Sequence, residues 1–382
     1  MKKRTVLLRK IFISVTIVSA LFLSGCGNKD KNNADTPDSV AEPIEQTAPE
    51  TGSTENVVTD DENPPAEGMV RSRLTNEWVD EALADKRPIA VMTPNEISAV
   101  PHYGLSQADV LYECNVEGDM TRLMGIYEDW ENLEKIGNVR SARDYYIYWS
   151  FEWDSILCHY GGPFYIDEVI SRDTTDNING TVAASGVYFR SSDRSAPHNA
   201  YISAEGINQA IEQYGYSKEY RGMTDENHFQ FTNASHPNTL ADYEDAVNAS
   251  FIDMSECYPM TKCYFKYNEE DGNYYRYQQL AGGEDGPHVD ASNNEQLKFK
   301  NVIVQNTYYE TRDEKGYLAF KCIDNTRDGW FFTQGKGIHV NWVKESDYGA
   351  TRYYDDNGNE IILNTGKTMI LIVEEGDNFR YE

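Results

Sequence analysis

Arg87-Pro88-Ile89-Ala90-Val91-Met92, Ala108-Asp109-Val110-Leu111-Tyr112-Glu113-Cys114-Asn115-Val116 and Thr121-Arg122-Leu123-Met124-Gly125-Ile126-Tyr127-Glu128 are the stretches on which the fold turns. Each is short, apolar at its centre and bounded by turn formers, which is the pattern of a strand. Pro94, Pro101 and Gly104 separate the first two. Downstream, Asn132–Glu134 reads as a turn and Lys135–Arg140 as a fourth strand. Ser141–Trp153 shifts to helical spacing, with Tyr145, Tyr148, Trp149 and Phe151 available for burial. Asp154–Tyr160 reads as a buried strand ending at Gly161-Gly162-Pro163, and Ser203–Tyr214 as a helix with Ser203 as its N-cap. Upstream, Asn76–Asp85 reads as a short helix. Strands and helices alternate, so residues 76–245 are expected to form a mixed α/β layered domain.

Near Ser235–Asp242 the pattern changes. Cys263–Tyr267, Tyr274–Leu280, Asn301–Thr307, Tyr317–Cys322, Trp330–Thr333, Thr351–Tyr354 and Met369–Val373 read as short strands. Gly335-Lys336-Gly337 and Asp355-Asp356-Asn357-Gly358 read as turns between them. Such a series predicts an antiparallel β-rich domain over 246–382. The fold class is therefore α+β: a mixed α/β layered N-terminal domain followed by a smaller, mostly antiparallel β domain.

The amino terminus carries Lys2, Lys3, Arg4, Arg9 and Lys10, then the apolar run Ile11–Leu23, then Leu23-Ser24-Gly25-Cys26. This is the order of a secretory signal peptide over 1–25. The apolar run is too short for a spanning helix, which needs about 20 residues. A cysteine after Leu-Ser-Gly resembles the lipobox of bacterial lipoproteins, which implies lipidation of Cys26 and a lipid anchor on the extracytoplasmic face of the cell membrane. Cleavage before Cys26 takes the formal net charge from −29 to −34, because Met1–Gly25 holds five cations and no acid. A surface so acidic is repelled by nucleic acid and, as a whole, by anionic headgroups. Residues 26–75, rich in Asp, Glu, Thr, Asn and Pro, are expected to form a disordered acidic tether.

Cysteine usage excludes a dense disulfide scaffold. Cys114, Cys158, Cys257, Cys263 and Cys322 have no CxxC spacing, although Cys257 and Cys263 are close enough in sequence to close a small loop. The seven histidines form no HExxH pair, and no serine sits in a GxSxG elbow. Cys158-His159 resembles a nucleophile and its base, but neighbours on a strand point to opposite faces. No catalytic residue, metal ligand or cofactor is assigned.

Several blocks in one order are similar to the YerB-like lipoprotein family: Arg87–Met92, Gly104–Glu113, Val116-Glu117-Gly118, Thr121-Arg122, Gly137–Arg143 and His159-Tyr160-Gly161-Gly162. Arg194-Ser195-Ala196-Pro197-His198-Asn199, Thr351–Asp355, Leu363-Asn364 and Gly366-Lys367-Thr368 continue the likeness to the carboxyl end. The sequence departs from the family at Thr93-Pro94-Asn95 and at Gly118-Asp119. The resemblance implies two domains, both of unknown function, on a surface lipoprotein.

Within this acidic chain the first domain gathers cations. Arg122, Arg140, Arg143, Arg190 and Arg194 lie in it, with His159, His198 and Asn199. Guanidinium groups grip carboxylate and phosphate through paired hydrogen bonds, so Arg122, Arg140, Arg143, His159, Arg194, His198 and Asn199, with Glu117, are the candidate ligand-binding set. The expected ligand is an anionic cell-wall or glycopolymer component. Against this stands a purely structural reading, in which the arginines pair with Glu113, Glu117 and Asp144 and hold loops. A partial likeness over Thr121–Gly162 to the LytR–CpsA–Psr phosphotransferases implies a further alternative. There Arg140 and Arg143 would clamp a pyrophosphate and Asp119 or Asp144 would hold magnesium. A protein-interaction scaffold is the remaining one; it predicts arginines dispersed or fully paired.

Overall fold

The run Thr368-Met369-Ile370-Leu371-Ile372-Val373 is apolar on both faces of a strand, which only the middle of a covered sheet accommodates. The computed structural model, which describes residues 62–225 and 227–382, places it there. The expected signal peptide, Cys26 and most of the tether lie outside the described residues. From the first half come β1 Ile89–Pro94, β2 Val110–Asn115, β3 Thr121–Tyr127, β4 Ile156–His159 and β5 Asn177–Asn179. From the second come β6 Val247–Asn248, β7 Asn301–Thr307, β8 Asp324–Thr333, β9 Lys336–Lys344, β10 Arg352–Tyr354 and β11 Thr368–Glu374. They form one 11-stranded sheet in the order β6-β9-β8-β7-β11-β2-β3-β1-β4-β5, with β10 beside β9.

The halves meet where β11 runs parallel to β2, Thr368 opposite Val110 and Ile372 opposite Cys114. Helix α1, Asp144–Phe151, packs Tyr145, Tyr146 and Trp149 on one face of the sheet, against Tyr112, Met124, Ile370 and Ile372. On the opposite face, helix α2, Ala204–Tyr214, covers Ile89, Val91 and Ile156 with Ile207, Ala210 and Ile211. A second, six-stranded sheet built around Tyr264–Asn268 and Asn273–Gln279 covers Leu111, Leu123, Val302 and Leu371. The architecture is a mixed α/β part followed by a mostly antiparallel β part, joined through one sheet.

Local differences from the sequence reading have physical causes. Lys135–Arg140 keeps only Ile136–Gly137 as a strand, paired with Ala200–Ile202 outside the main sheet. Asn76–Asp85 divides into a strand, Trp78–Asp80, and a single turn, Glu81–Ala84. The packed body also starts before residue 76: Met69–Arg71 is a strand, and Leu74, 1% exposed, joins the core. An apolar anchor so close to the acidic segment shortens the expected tether. Cys257 and Cys263 are both buried, free thiols.

Ser203 caps α2 as expected, its hydroxyl accepting the Gly206 N–H at 3.2 Å, while Gly215 closes the other end at φ 72°. Ser203→Ala is expected to cost about 1 kcal/mol by removing that cap. Urea unfolding of the variant measures it, and a midpoint equal to wild type would mean the cap carries no stability.

Candidate functional site

Strands β1 and β4 run parallel, so their carboxyl ends, at Pro94 and His159, open toward the same rim. The connection before α1 is fastened across that rim. Arg140 donates its N–H to Met92 O at 2.9 Å, and its own carbonyl accepts the Tyr160 N–H at 2.9 Å. Ala142 N–H donates to Gly161 O at 3.0 Å. This pairing delivers Arg140, Ser141 and Arg143 to one place, and Arg122 reaches it from β3, where it lies opposite Pro94.

Arg122 is 5% exposed and donates to Ser141 O, while its Nε–H is buried with no acceptor. Burial first, then the neighbouring Arg143 charge, push its guanidinium down to about 10, with Arg140 adding to the effect and Glu117 opposing it. Arg140 is half-buried, and its Nε–H is also buried without an acceptor. Arg143 forms a two-pronged pair with Glu117, Nε to Oε2 at 3.0 Å and Nη2 to Oε1, and donates to Ala142 O at 2.8 Å. It is the N-cap of α1 and places no side-chain acceptor over the helix end. His198 closes the far side, its Nε2 3.3 Å from Ser98 Oγ and 3.4 Å from Glu96 Oε1. Burial lowers the His198 pKa, Glu96 opposes that, and Arg140 and Arg194 lower it further.

The other candidates serve the frame. His159 is fully buried, with Nδ1 2.8 Å from Gly161 O and Nε2 3.2 Å from Asn177 Oδ1, so both nitrogens are engaged inside the protein. Cys158 beside it is buried as well. Arg194 donates to Ala99 O at 2.8 Å and Val100 O at 2.9 Å, holding the turn before Pro101. Asn199 accepts from Arg190 at 2.6 Å and donates to Ser191 O. Of the carboxylates expected to pair with the arginines, only Glu117 does. Glu113 binds Arg276, and Asp144 binds Arg312. Among the described residues, Arg122, Arg140 and Arg194 have no carboxylate within ion-pair distance, and no three metal-binding side chains gather.

On the other face of β2 lies a network that the sequence reading missed. Glu113 Oε2 accepts from Arg276 at 2.7 Å, and its Oε1 accepts from Asn95 at 2.8 Å and Thr121 at 2.7 Å. Arg276 continues to His288, which lies 2.8 Å from His102, itself 2.8 Å from Pro94 O. Glu113, Arg276, His288 and His102 are each 0% exposed. The available signal was the alternation in Asn273–Gln279, which puts Arg276 in phase with buried Tyr274 and Gln278. The partner of that buried cation, 163 positions away, carried no signal.

A third titratable pair sits at the start of the body. Glu128 is 3% exposed, with Oε1 lacking a partner, and its N–H donates to Asp109 Oδ2 at 2.8 Å. Burial, then the Asp109 charge, raise Glu128 to about 7 against hydrogen bonds from Ser72 and the Arg73 backbone. A raised folded-state pKa gives stability that is complete below the ordinary 4.5 and is lost as pH rises through 7. Glu128→Gln is therefore expected to be more stable than wild type at pH 8, by up to about 3 kcal/mol, and to converge with it near pH 4.5. Urea midpoints across that range test this; a constant difference at every pH would contradict it.

An α+β body whose two halves share one sheet, with an arginine-lined rim at its strand ends, is the class of protein these features define. Residues 74–217 match the N-terminal domain of the family "Protein of unknown function (DUF3048)" and residues 254–370 match its C-terminal domain. The chain carries both in order and belongs to that family. It is 33% identical over 153 residues to "Putative lipoprotein YerB" of Bacillus subtilis (strain 168), a match covering 40% of this chain and 46% of that protein. The crystal structure of YerB protein from Bacillus subtilis superimposes with a TM-score of 0.67 at 24% identity, covering 80% of this chain and 96% of the other, and shares its fold.

Proposed function

We propose that this chain is an exported lipoprotein, acylated on Cys26 and held on the extracytoplasmic face of the cell membrane, whose Arg122–Arg140–Arg143 rim binds an anionic envelope component. The observation that supports it is the pair of neighbouring guanidinium groups, Arg122 and Arg140, whose buried Nε–H donors have no acceptor. Buried donors are ordinarily satisfied, and an unpaired one on a cation is costly. An anion entering the rim supplies the acceptors and the missing negative charge together. His198 and the uncapped amino end of α1 add donors beside it. The expected ligand class is a cell-wall or glycopolymer phosphate or carboxylate, with no catalytic step assigned. The phosphotransferase alternative loses Asp144 as a metal ligand, because Arg312 occupies it.

The test is thermal denaturation of the mature chain with cell-wall fragments and phosphate-bearing ligands, with and without magnesium. A ligand at a hundredfold its dissociation constant should add about 2.7 kcal/mol, and Arg140→Gln should remove that gain while leaving the ligand-free melting temperature near wild type. A ligand that stabilises the variant equally would place binding elsewhere. Incorporation of labelled palmitate into wild type and its loss in Cys26→Ser test the anchor.

A further inference from the structure

We infer that the anion held at the arginine rim is the phosphate head of a membrane lipid, whose apolar chain lies against Phe164 and Val182; this rests on the reading of the rim as an anion site. Phe164 is 68% exposed and Val182 76%, while among the described residues the other exposed large apolar side chains are at most 39% exposed. Isolated exposed apolar side chains are ordinary, but these two sit in loops that backbone hydrogen bonds fasten to the rim. Gly161, whose carbonyl accepts from Ala142 between Ser141 and Arg143, leads through Gly162 and Pro163 into Phe164. Asn179 Oδ1 accepts the Gly161 N–H and the Thr181 N–H, each at 3.0 Å, which fastens the Val182 loop to the same point.

An aromatic path completes the link. The Phe164 and Tyr165 rings lie 4.0 Å apart, tilted by 34°, Tyr165 meets Tyr317 at 5.7 Å, and the Arg143 guanidinium lies 5.4 Å over the Tyr317 ring. The carboxylates along that path are engaged: Glu117 pairs with Arg143, Asp144 with Arg312, and Asp313 accepts the Tyr165 hydroxyl at 2.9 Å. A soluble phosphorylated sugar would satisfy Arg122 and Arg140 but leave Phe164 and Val182 in water. A phosphate-headed amphiphile satisfies both ends. General adsorption to an anionic bilayer is opposed by the −34 charge of the mature chain. Recognition of a single head at a local cationic site, by a body already tethered nearby, is not.

The experiment uses the mature chain carrying Cys26→Ser, so that no acyl anchor contributes. Co-sedimentation is measured with phosphatidylcholine vesicles, with the same vesicles containing phosphatidic acid, and against soluble glycerol 3-phosphate as competitor. Expected are sedimentation only with phosphatidic acid, competition by glycerol phosphate, and roughly tenfold weaker vesicle binding for both Arg140→Gln and Phe164→Ser/Val182→Ser. The double serine variant should keep wild-type affinity for glycerol phosphate. If it sediments as wild type does, or if neutral vesicles bind equally, the lipid assignment is overturned and the anion reading stands. If glycerol phosphate binds and phosphatidic acid vesicles do not, the same holds. If neither binds, both readings fall.

Discussion

Replacing Arg276 by methionine is expected to destabilise the protein by about 3–5 kcal/mol, because it strands Glu113 as an uncompensated buried charge. Both side chains are 0% exposed and joined at 2.7 Å, and Arg276 also donates to Gln278 at 2.6 Å. Methionine keeps the aliphatic stem in place, so most of the stem's packing survives the loss of the cation. Glu113 lies in β2 of the first half and Arg276 in the small sheet of the second. The pair is therefore an ionic clasp between the halves, beside the β2–β11 junction. Urea unfolding followed by tryptophan fluorescence and by circular dichroism should give one coincident transition for wild type. The double variant Glu113→Gln/Arg276→Met should recover part of the loss. A single variant within 1 kcal/mol of wild type would mean the buried Glu113 charge is neutralised in another way.

Lys344→Met, at the last residue of β9, should have a comparable effect, about 3–5 kcal/mol. Lys344 and Glu152 are both fully buried, 3.1 Å apart, and His228 Nε2 lies 2.8 Å from the second carboxylate oxygen. Thr351 adds its hydroxyl to Oε1 at 2.8 Å and its N–H to Oε2 at 3.1 Å. Burial pushes the Glu152 pKa up, but Lys344, His228 and Thr351 together hold it down at about 2. Its contribution is complete above the ordinary 4.5 and is lost as pH falls toward 2. Glu152→Gln should cost less than Lys344→Met at pH 7 if it keeps the Thr351 bonds. Denaturant midpoints of the two variants and their combination give the coupling directly. Additive losses would contradict a buried pair.

The sequence made the strands of the first half legible, because β1 to β3 are short apolar runs bounded by Pro and Gly. The Ser203 cap and the strand at Met369–Val373 were readable from local pattern as well. Strand β9 was missed although Ile338, Val340 and Trp342 alternate cleanly, because Gly335-Lys336-Gly337 read as one turn. The turn is only Gln334-Gly335, both at positive φ, and Lys336 already pairs with Thr333. That the halves share a sheet was not readable, since a strand's neighbour 258 residues away leaves no periodic trace. For the rim, clustering of arginines in a few motifs pointed to Arg122, Arg140 and Arg143. Residue type alone gave no way to separate Arg140, with its unpaired donor, from Arg194, spent on backbone carbonyls, or to see that His159 is sealed inside.

The most direct test of the anion site is the side-chain spectrum of the arginine Nε–H groups, recorded as a phosphate-bearing ligand is added. Arg122→Lys and Arg140→Lys assign the two resonances by their disappearance. These two should move saturably and together while that of Arg143, already bonded to Glu117, moves least. Unchanged resonances for Arg122 and Arg140 at ligand saturation would contradict it.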